Sequence, residues 1–191
     1  MTDRAQYTPG PAGGAQMQKQ EGENWTLILV RELRHSPEKV WQALTEPAHL
    51  REWAPFDADR CLDTVGNKVK LTTVGAPSPH VTETTVTRAD APKLLEYKWG
   101  GNDMRWELVP LGAGTRLTLW TSINRRFIAM GAAGWHLCFD VLDHLLAGQP
   151  IGRIVGPEGM KLPGFQRLHG EYAKLFGIKA SNSPPGAAQE S

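Results

Sequence analysis

The chain has 191 residues, a length that suits one domain with a sizeable core and flexible ends. Its 21 Lys and Arg residues nearly balance its 20 Asp and Glu residues, and its longest basic run is Arg125-Arg126. Because phosphate binding needs clustered cations, we expect no nucleic-acid partner. The sequence contains no apolar run of about 18 residues, so it predicts no membrane-spanning segment.

Targeting signals and cysteines indicate the compartment. The N-terminus lacks the charged and then apolar pattern of a secretory signal. The two cysteines, Cys61 and Cys138, could pair in principle, but in such a chain they are more simply explained as reduced thiols. We therefore expect a cytoplasmic protein.

Both ends of the chain differ in composition from its middle. Residues 1–23 are rich in Pro, Gly and Gln and offer almost no apolar surface, and residues 180–191 have the same character. Segments of this kind cannot bury enough apolar area to compensate for the entropy lost on ordering. The sequence predicts two disordered tails around one globular unit.

The first elements of the globular unit alternate between strand and helix patterns. Residues 25–33 are rich in aliphatic and β-branched side chains and predict a strand. Ser36 as N-cap and Pro37 as first helical residue predict a helix start, and a second short helix begins at Pro47. From about residue 58 to residue 121 the apolar positions repeat every second residue between turn signals. This pattern predicts an antiparallel meander with one apolar face, which another element must cover.

A long helix predicted over residues 127–146 is the candidate cover, and a final amphipathic helix is predicted over residues 165–176. On a helical wheel, the apolar side of the long helix spans about 200°, against roughly 100° for an ordinary surface helix. Burial over so wide an angle requires contact on more than one side. A curved sheet that wraps around the helix would provide that contact.

The remaining side of this helix carries His136, Asp140, Asp143 and His144. A His and an Asp one turn apart could ligate a metal. Alternatively, the four residues form a solvated strip supported by contacts between residues one turn apart. We favour the solvated strip, because no Cys, Glu or third His is tied to this side by spacing. The sequence predicts no metal site, no cofactor and no catalytic residue.

Three stretches carry a family resemblance: "RELRHSPEKVWQALTEPAHLREW", "YKWGGNDMRWELVPLGAGTRLTLW" and "GWHLCFDVLDHLLAG". Their order resembles the SRPBCC superfamily (START-like, birch-pollen-allergen-like), and in detail its subgroup of homologues of the activator of the heat-shock-protein-90 ATPase. The resemblance implies an α+β helix-grip fold, in which a curved antiparallel β-sheet wraps around a long C-terminal helix after two short helices. It places that domain at residues 24–148, with a connector and extra helix at 149–179 packed on it.

The resemblance also implies a cavity between the sheet and the long helix, suited to an apolar small molecule. The candidate lining residues are Trp41, Trp53, Tyr97, Trp99, Trp106, Leu119, Trp135 and Phe139. These side chains could equally fill a core without any ligand. On the strength of the cavity that the resemblance implies, we expect a protein that binds a hydrophobic or aromatic small molecule. The alternatives are a co-chaperone-like regulator with a protein partner and a link to the stress response, or a cyclase- or hydrolase-type enzyme.

Overall fold

The computed structural model describes residues 4–180. Except for its first residue, the predicted tail at 180–191 lies outside the described residues. The strands are β1 (Ala15–Lys19), β2 (Asn24–Leu33), β3 (Phe56–Ala58), β4 (Lys68–Thr73), β5 (His80–Thr85), β6 (Arg88–Asp90), β7 (Leu94–Trp99), β8 (Asn102–Leu111) and β9 (Gly114–Asn124). The helices are α1 (Pro37–Thr45), α2 (Pro47–Trp53), α3 (Ile128–Leu146), α4 (Gly156–Met160) and α5 (Phe165–Leu175), with 3-10 turns at Arg4–Gln6 and Arg125–Phe127. Within residues 4–180, none of these helices is both long and apolar enough to cross a membrane.

Six strands form an antiparallel sheet in the order β1-β2-β9-β8-β7-β6, and β3, β4 and β5 form a smaller sheet. Successive side chains of a strand point to opposite faces. In the observed register, Leu119 of β9 lies between Leu29 of β2 and Trp106 of β8, and all three are buried on the inner face. Their neighbours Trp120 and Arg105 pair on the outer face. The period of two seen in the sequence therefore follows from a sheet with one covered face.

Helix α3 lies against the inner face of the large sheet and is buried on most of its circumference. Thirteen of its nineteen residues are buried. The Trp106 ring of β8 contacts the rings of Trp135 and Phe139 of α3, at centroid distances of 5.6 and 6.1 Å. The wide apolar side of α3 is thus enclosed by the sheet, and the predicted α+β helix-grip fold is confirmed.

The two short helices cross the end of the sheet and depend on its core for stability, since helices of this length are marginal alone. The Ser36 hydroxyl caps α1 as predicted, accepting a hydrogen bond from the Lys39 amide at 3.3 Å. The Trp53 indole of α2 is fully buried and donates to the Ala43 carbonyl of α1 at 2.9 Å. This bond joins the two helices and satisfies the indole N–H inside the core.

The N-terminal segment differs from the expectation of a disordered tail. Residues 15–19 form β1, which pairs antiparallel with β2 from Ala15 opposite Leu29 to Lys19 opposite Trp25. Residues 4–14 run across α3 and α5, with Pro9 buried. Backbone pairing and a few polar contacts position this segment, and amino-acid composition does not reveal contacts of that kind.

Candidate functional site

A cavity of about 490 Å³ opens beside the N-terminal half of α3. Its other walls come from the adjoining ends of β8 and β9 and from the connector that follows α3. The lining residues are Pro55, Trp99, Asn102, Thr121, Ser122, Ile123, Asn124, Phe127, Met130, Gly131, Gly134, Trp135, Leu137, Cys138, Ile154, Val155, Gly156, Gly159, Met160 and Phe165.

The cavity lining is mostly apolar. Among the described residues, no Asp, Glu, His, Lys or Arg lines it. Of its polar side chains, Ser122 accepts a hydrogen bond from the Asp103 amide at 2.7 Å, and Asn124 accepts one from the Arg126 amide at 2.9 Å. Because an unpaired charge is costly to bury, this lining favours an uncharged occupant.

Two glycines of α3 explain why there is space beside the helix. A Cβ at Gly131 would lie 2.6 Å from the Ile123 Cδ1 atom, so glycine lets α3 approach β9 closely. A Cβ at Gly134 would meet no atom within 4 Å, so its missing side chain leaves open volume in the cavity. Glycine inside a helix costs about 1 kcal/mol relative to alanine. Gly134 therefore lowers the stability of the helix, but it leaves cavity space that a larger side chain would fill.

The connector wall is fixed by a polar clamp and by a close backbone contact. Arg153 donates to the Asp57 carboxylate of β3 at 2.5 Å and to the Leu50 carbonyl of α2 at 3.2 Å. At the start of α4, Gly156 has a φ of 61°, and a Cβ there would lie 2.6 Å from the Gly75 carbonyl oxygen. These contacts hold residues 154–160 over the cavity.

Two of the eight predicted lining residues, Trp99 and Trp135, line the cavity, with ring centroids 5.9 Å apart in an edge-to-face arrangement. The Trp99 indole also donates to the Thr73 hydroxyl at 3.1 Å. The other six are buried in the core and lie outside the cavity lining: Trp41, Trp53, Tyr97, Trp106, Leu119 and Phe139.

The contact between Tyr97 and Trp106 shows how these core aromatics are satisfied without a ligand. The Trp106 indole donates to the Tyr97 hydroxyl at 3.1 Å. Burial raises the pKa of Tyr97 above its usual range, so the phenol is neutral. The structure thus separates the eight residues into two that line the cavity and six that are buried in the core outside it.

Sequence reasoning missed the lining residues that come from the helix start and the connector, including Phe127, Met130, Cys138 and Met160. Glycines inside an otherwise helical pattern, here Gly134, were an available signal, since such glycines often mark a packing or functional requirement. Burial raises the pKa of the Cys138 thiol to about 12, so the lining presents a neutral thiol there.

The polar side of α3 is only partly the solvated strip that we favoured, since Asp143 is 51% exposed but His136 and Asp140 are covered. The His136 and Asp140 side chains are only 7% and 14% exposed. Asp140 accepts hydrogen bonds from Tyr7 of the N-terminal segment and from Arg31 of β2, each at 2.5 Å, and lies 3.5 Å from the His136 ring. On its other side, His136 hydrogen-bonds the Tyr172 hydroxyl of α5 at 2.8 Å. The N-terminal segment and α5 cover His136 and Asp140, and neither contact is visible in the spacing of α3.

The charge state of this network follows from its contacts. Burial alone would raise the pKa of Asp140, but the His136 hydrogen bond, the Arg31 charge and the Tyr7 hydrogen bond together lower it to about 2. Burial, reinforced by the Asp140 charge, raises the pKa of Tyr7 above its usual range. Asp140 is therefore an ionised acceptor and Tyr7 a neutral donor. Across residues 4–180, no group of three or more His, Cys, Asp or Glu side chains could hold a metal ion.

Comparison with known proteins supports the fold and the family. The family model described as "Activator of Hsp90 ATPase homolog 1-like protein" matches residues 34–147, more than half of the chain. No curated protein sequence matches significantly.

Solved structures share the architecture. Protein MLL2253 from Mesorhizobium loti is 26% identical, with 64% of this chain and 97% of that chain covered and a TM-score of 0.56. A conserved protein of unknown function from Enterococcus faecalis, EF2215, is 17% identical over 84% and 89% of the two chains, with a TM-score of 0.63. CalU16 from Micromonospora echinospora is 18% identical over 86% and 97%, with a TM-score of 0.60. At such identities the last two show the shared fold alone.

Proposed function

The chain belongs to the family of Activator of Hsp90 ATPase homolog 1-like proteins, and from that premise we propose that it binds an uncharged, apolar or aromatic small molecule in the cavity beside α3. The helix-grip fold of the family is in general a ligand-binding scaffold. The observation that carries the proposal is the cavity itself. Its volume of about 490 Å³ lies within the range of roughly 300–1,000 Å³ typical of small-molecule sites.

The chemistry of the lining supports an uncharged ligand. A charged group entering the cavity would lose its hydration and, among the described residues, would meet no charged side chain in the lining. The lining includes three polar residues near the ends of β8 and β9, namely Asn102, Ser122 and Asn124. They offer hydrogen bonds to a hydroxyl or carbonyl group at one end of an otherwise apolar molecule.

The aromatic residues support a ligand with a planar or ring-shaped body. Trp99 and Trp135 both line the cavity, with their rings in edge-to-face contact. Aromatic rings gain both from apolar burial and from edge-to-face or offset contacts with one another. A planar aromatic ligand would gain from both apolar burial and ring contacts, whereas a flexible aliphatic chain would gain from burial alone.

A fluorescence titration with Nile red, a neutral aromatic dye, tests the proposal. We expect saturable binding to the purified chain. The Gly134→Met substitution places a side chain in the open volume and should weaken binding by at least about tenfold. The matched control is Gly170→Met, because Gly170 is an exposed glycine of α5 whose Cβ would also meet no atom within 4 Å.

The outcome separates cavity binding from binding at the surface. Equal affinity of the two glycine variants, both folded by circular dichroism, would show that the dye binds outside the cavity. An anionic dye of similar size should bind more weakly than Nile red, because the lining offers no partner for its charge within residues 4–180. Native mass spectrometry of the purified chain would identify any ligand retained from the host.

A further inference from the structure

The first described residues form a strap across the polar side of α3. We define the strap as residues 4–14, the part that precedes β1. Its Tyr7 hydroxyl donates to Asp140 of α3 at 2.5 Å, and its Tyr7 ring meets the His144 ring edge-on at 6.3 Å. At the other end, Gly14 accepts a hydrogen bond from the Val30 amide of β2 at 2.7 Å, where β1 begins. The strap therefore has one end tied to α3 and the other continuous with the sheet.

Between these ends the strap is bound to α5. Arg167 donates to the Pro9 carbonyl at 2.6 Å, and Glu171 accepts from the Ala12 amide at 2.8 Å. The Tyr172 hydroxyl donates to the Gly13 carbonyl at 3.2 Å. These three contacts, made within residues 167–172, fix α5 to the strap.

The same helix provides part of the cavity wall. Phe165, the first residue of α5, lines the cavity, as do Gly159 and Met160 of α4. The residue just before Phe165 is Gly164, where a Cβ would lie 3.3 Å from the Pro9 ring. The strap therefore lies directly behind the end of α5 that closes the cavity.

The strap is held by polar contacts and by a small area of apolar contact. Of residues 4–14, Pro9 alone is buried, while Tyr7 and Ala12 are half-buried. Segments with little buried apolar area detach locally at a small fraction of the cost of global unfolding. The strand β1 that follows is paired with β2 along its whole length, from Ala15 to Lys19.

We propose that the strap is a releasable latch on the cavity: docked, it holds α5 and α4 against α3, and detached, it lets this wall move so that ligand can enter and leave. This inference rests on the proposed function, because it concerns exchange at the same cavity. The latch gives a role to His136 and Asp140 on the polar side of α3, which do not line the cavity.

Dye exchange kinetics in the full chain test the latch. The Tyr7→Phe/Arg167→Ala double variant removes the Tyr7–Asp140 hydrogen bond, the Arg167 bonds to the Pro9 and Gly10 carbonyls and the Arg167–Glu171 ion pair, and it leaves every lining residue unchanged. Dye-loaded protein is mixed in a stopped-flow instrument with excess serum albumin as dye acceptor. We expect Nile red dissociation and association both to accelerate by about tenfold, with the equilibrium affinity changed by less than about threefold. The control Arg88→Ala removes an exposed Arg88–Asp90 pair far from the strap and should leave both rates unchanged.

Hydrogen exchange provides a second readout. In the double variant, and in the milder Tyr7→Phe variant, amides of residues 156–168 should exchange faster, whereas those of β8 and β9 should not. Unchanged dye rates in folded variants would overturn the latch and leave the proposed function standing. Weaker binding with an unaltered association rate would also overturn it, by showing that the strap only supports the wall. Failure of the unsubstituted chain to bind Nile red would overturn the proposed function and this inference together.

Discussion

The charge on Asp140 should be worth a measurable part of the stability of the fold. Asp140→Asn keeps the shape of the side chain and removes the negative charge where the strap, β2 and α3 meet. The pKa of Asp140 falls from 3.8 to about 2 in the folded chain, and each pKa unit corresponds to about 1.4 kcal/mol. We therefore expect Asp140→Asn to lower the free energy of unfolding by about 2 kcal/mol near neutral pH.

The effect should depend on pH with a definite sign. The pKa of Asp140 is lower in the folded chain than in the unfolded chain, so ionisation of Asp140 stabilises the fold. That contribution is complete above a pH of about 4 and disappears as the pH falls from about 4 toward about 2. The difference in unfolding free energy between the unsubstituted chain and the variant should shrink over the same window.

Urea denaturation at several pH values between about 2 and 7 measures both the loss of unfolding free energy and its dependence on pH. The control is Asp103→Asn, since Asp103 forms an exposed ion pair with Lys98 at 3.1 Å and its side chain is 72% exposed. Such a pair should change stability by less than about 1 kcal/mol. A destabilisation by Asp140→Asn that stayed constant across the pH range would show that lost packing, and not charge, is responsible. No destabilisation at neutral pH would refute the reasoning outright.

Three further outcomes follow from the cavity and its walls. Trp99→Ala and Trp135→Ala should each abolish Nile red binding in fluorescence titrations while circular dichroism shows the sheet intact; retained affinity in both would exclude these rings as ligand contacts. Gly156→Ala should lower the unfolding free energy by more than about 1 kcal/mol, because its φ of 61° is combined with a backbone carbonyl oxygen 2.6 Å from the added Cβ. Gly22→Ala, with a φ of 64° and open space around it, should cost less when both variants are measured by urea denaturation, and equal costs would remove the steric part of this explanation. Cys138 should react with a thiol reagent at mildly alkaline pH only after unfolding, because burial raises its pKa to about 12, and prompt labelling of the native chain would contradict this.

The fold could be predicted because its requirements repeat along the chain. Each strand of the large sheet needs an apolar side chain at every second position, as Met104, Trp106 and Leu108 of β8 provide. The wide apolar side of α3 then predicted a sheet wrapped around it. These patterns arise from local periodicity, which a single sequence displays directly.

The site could be predicted only in part, because a side chain that faces a cavity has the same chemical type as one that faces the core. Trp106 and Trp135 contact each other, yet only Trp135 reaches the cavity. The polar network was harder still to predict. Tyr7 and Asp140 are 133 residues apart in the sequence, and nothing in the spacing of α3 reveals that a distant tyrosine covers it.

Strand β1 has a consequence for colloidal behaviour. It covers the edge of β2, whose run from Leu27 to Val30 is aliphatic throughout. An uncovered aliphatic edge strand is a template for pairing with another chain and therefore for aggregation. The exposed residues of β1 are polar, namely Gln16, Gln18 and Lys19. The sheet therefore ends in a strand that discourages such pairing. A fragment that began at β2 would expose this edge, and residues 15–19 therefore belong in any version of the protein meant to stay monodisperse.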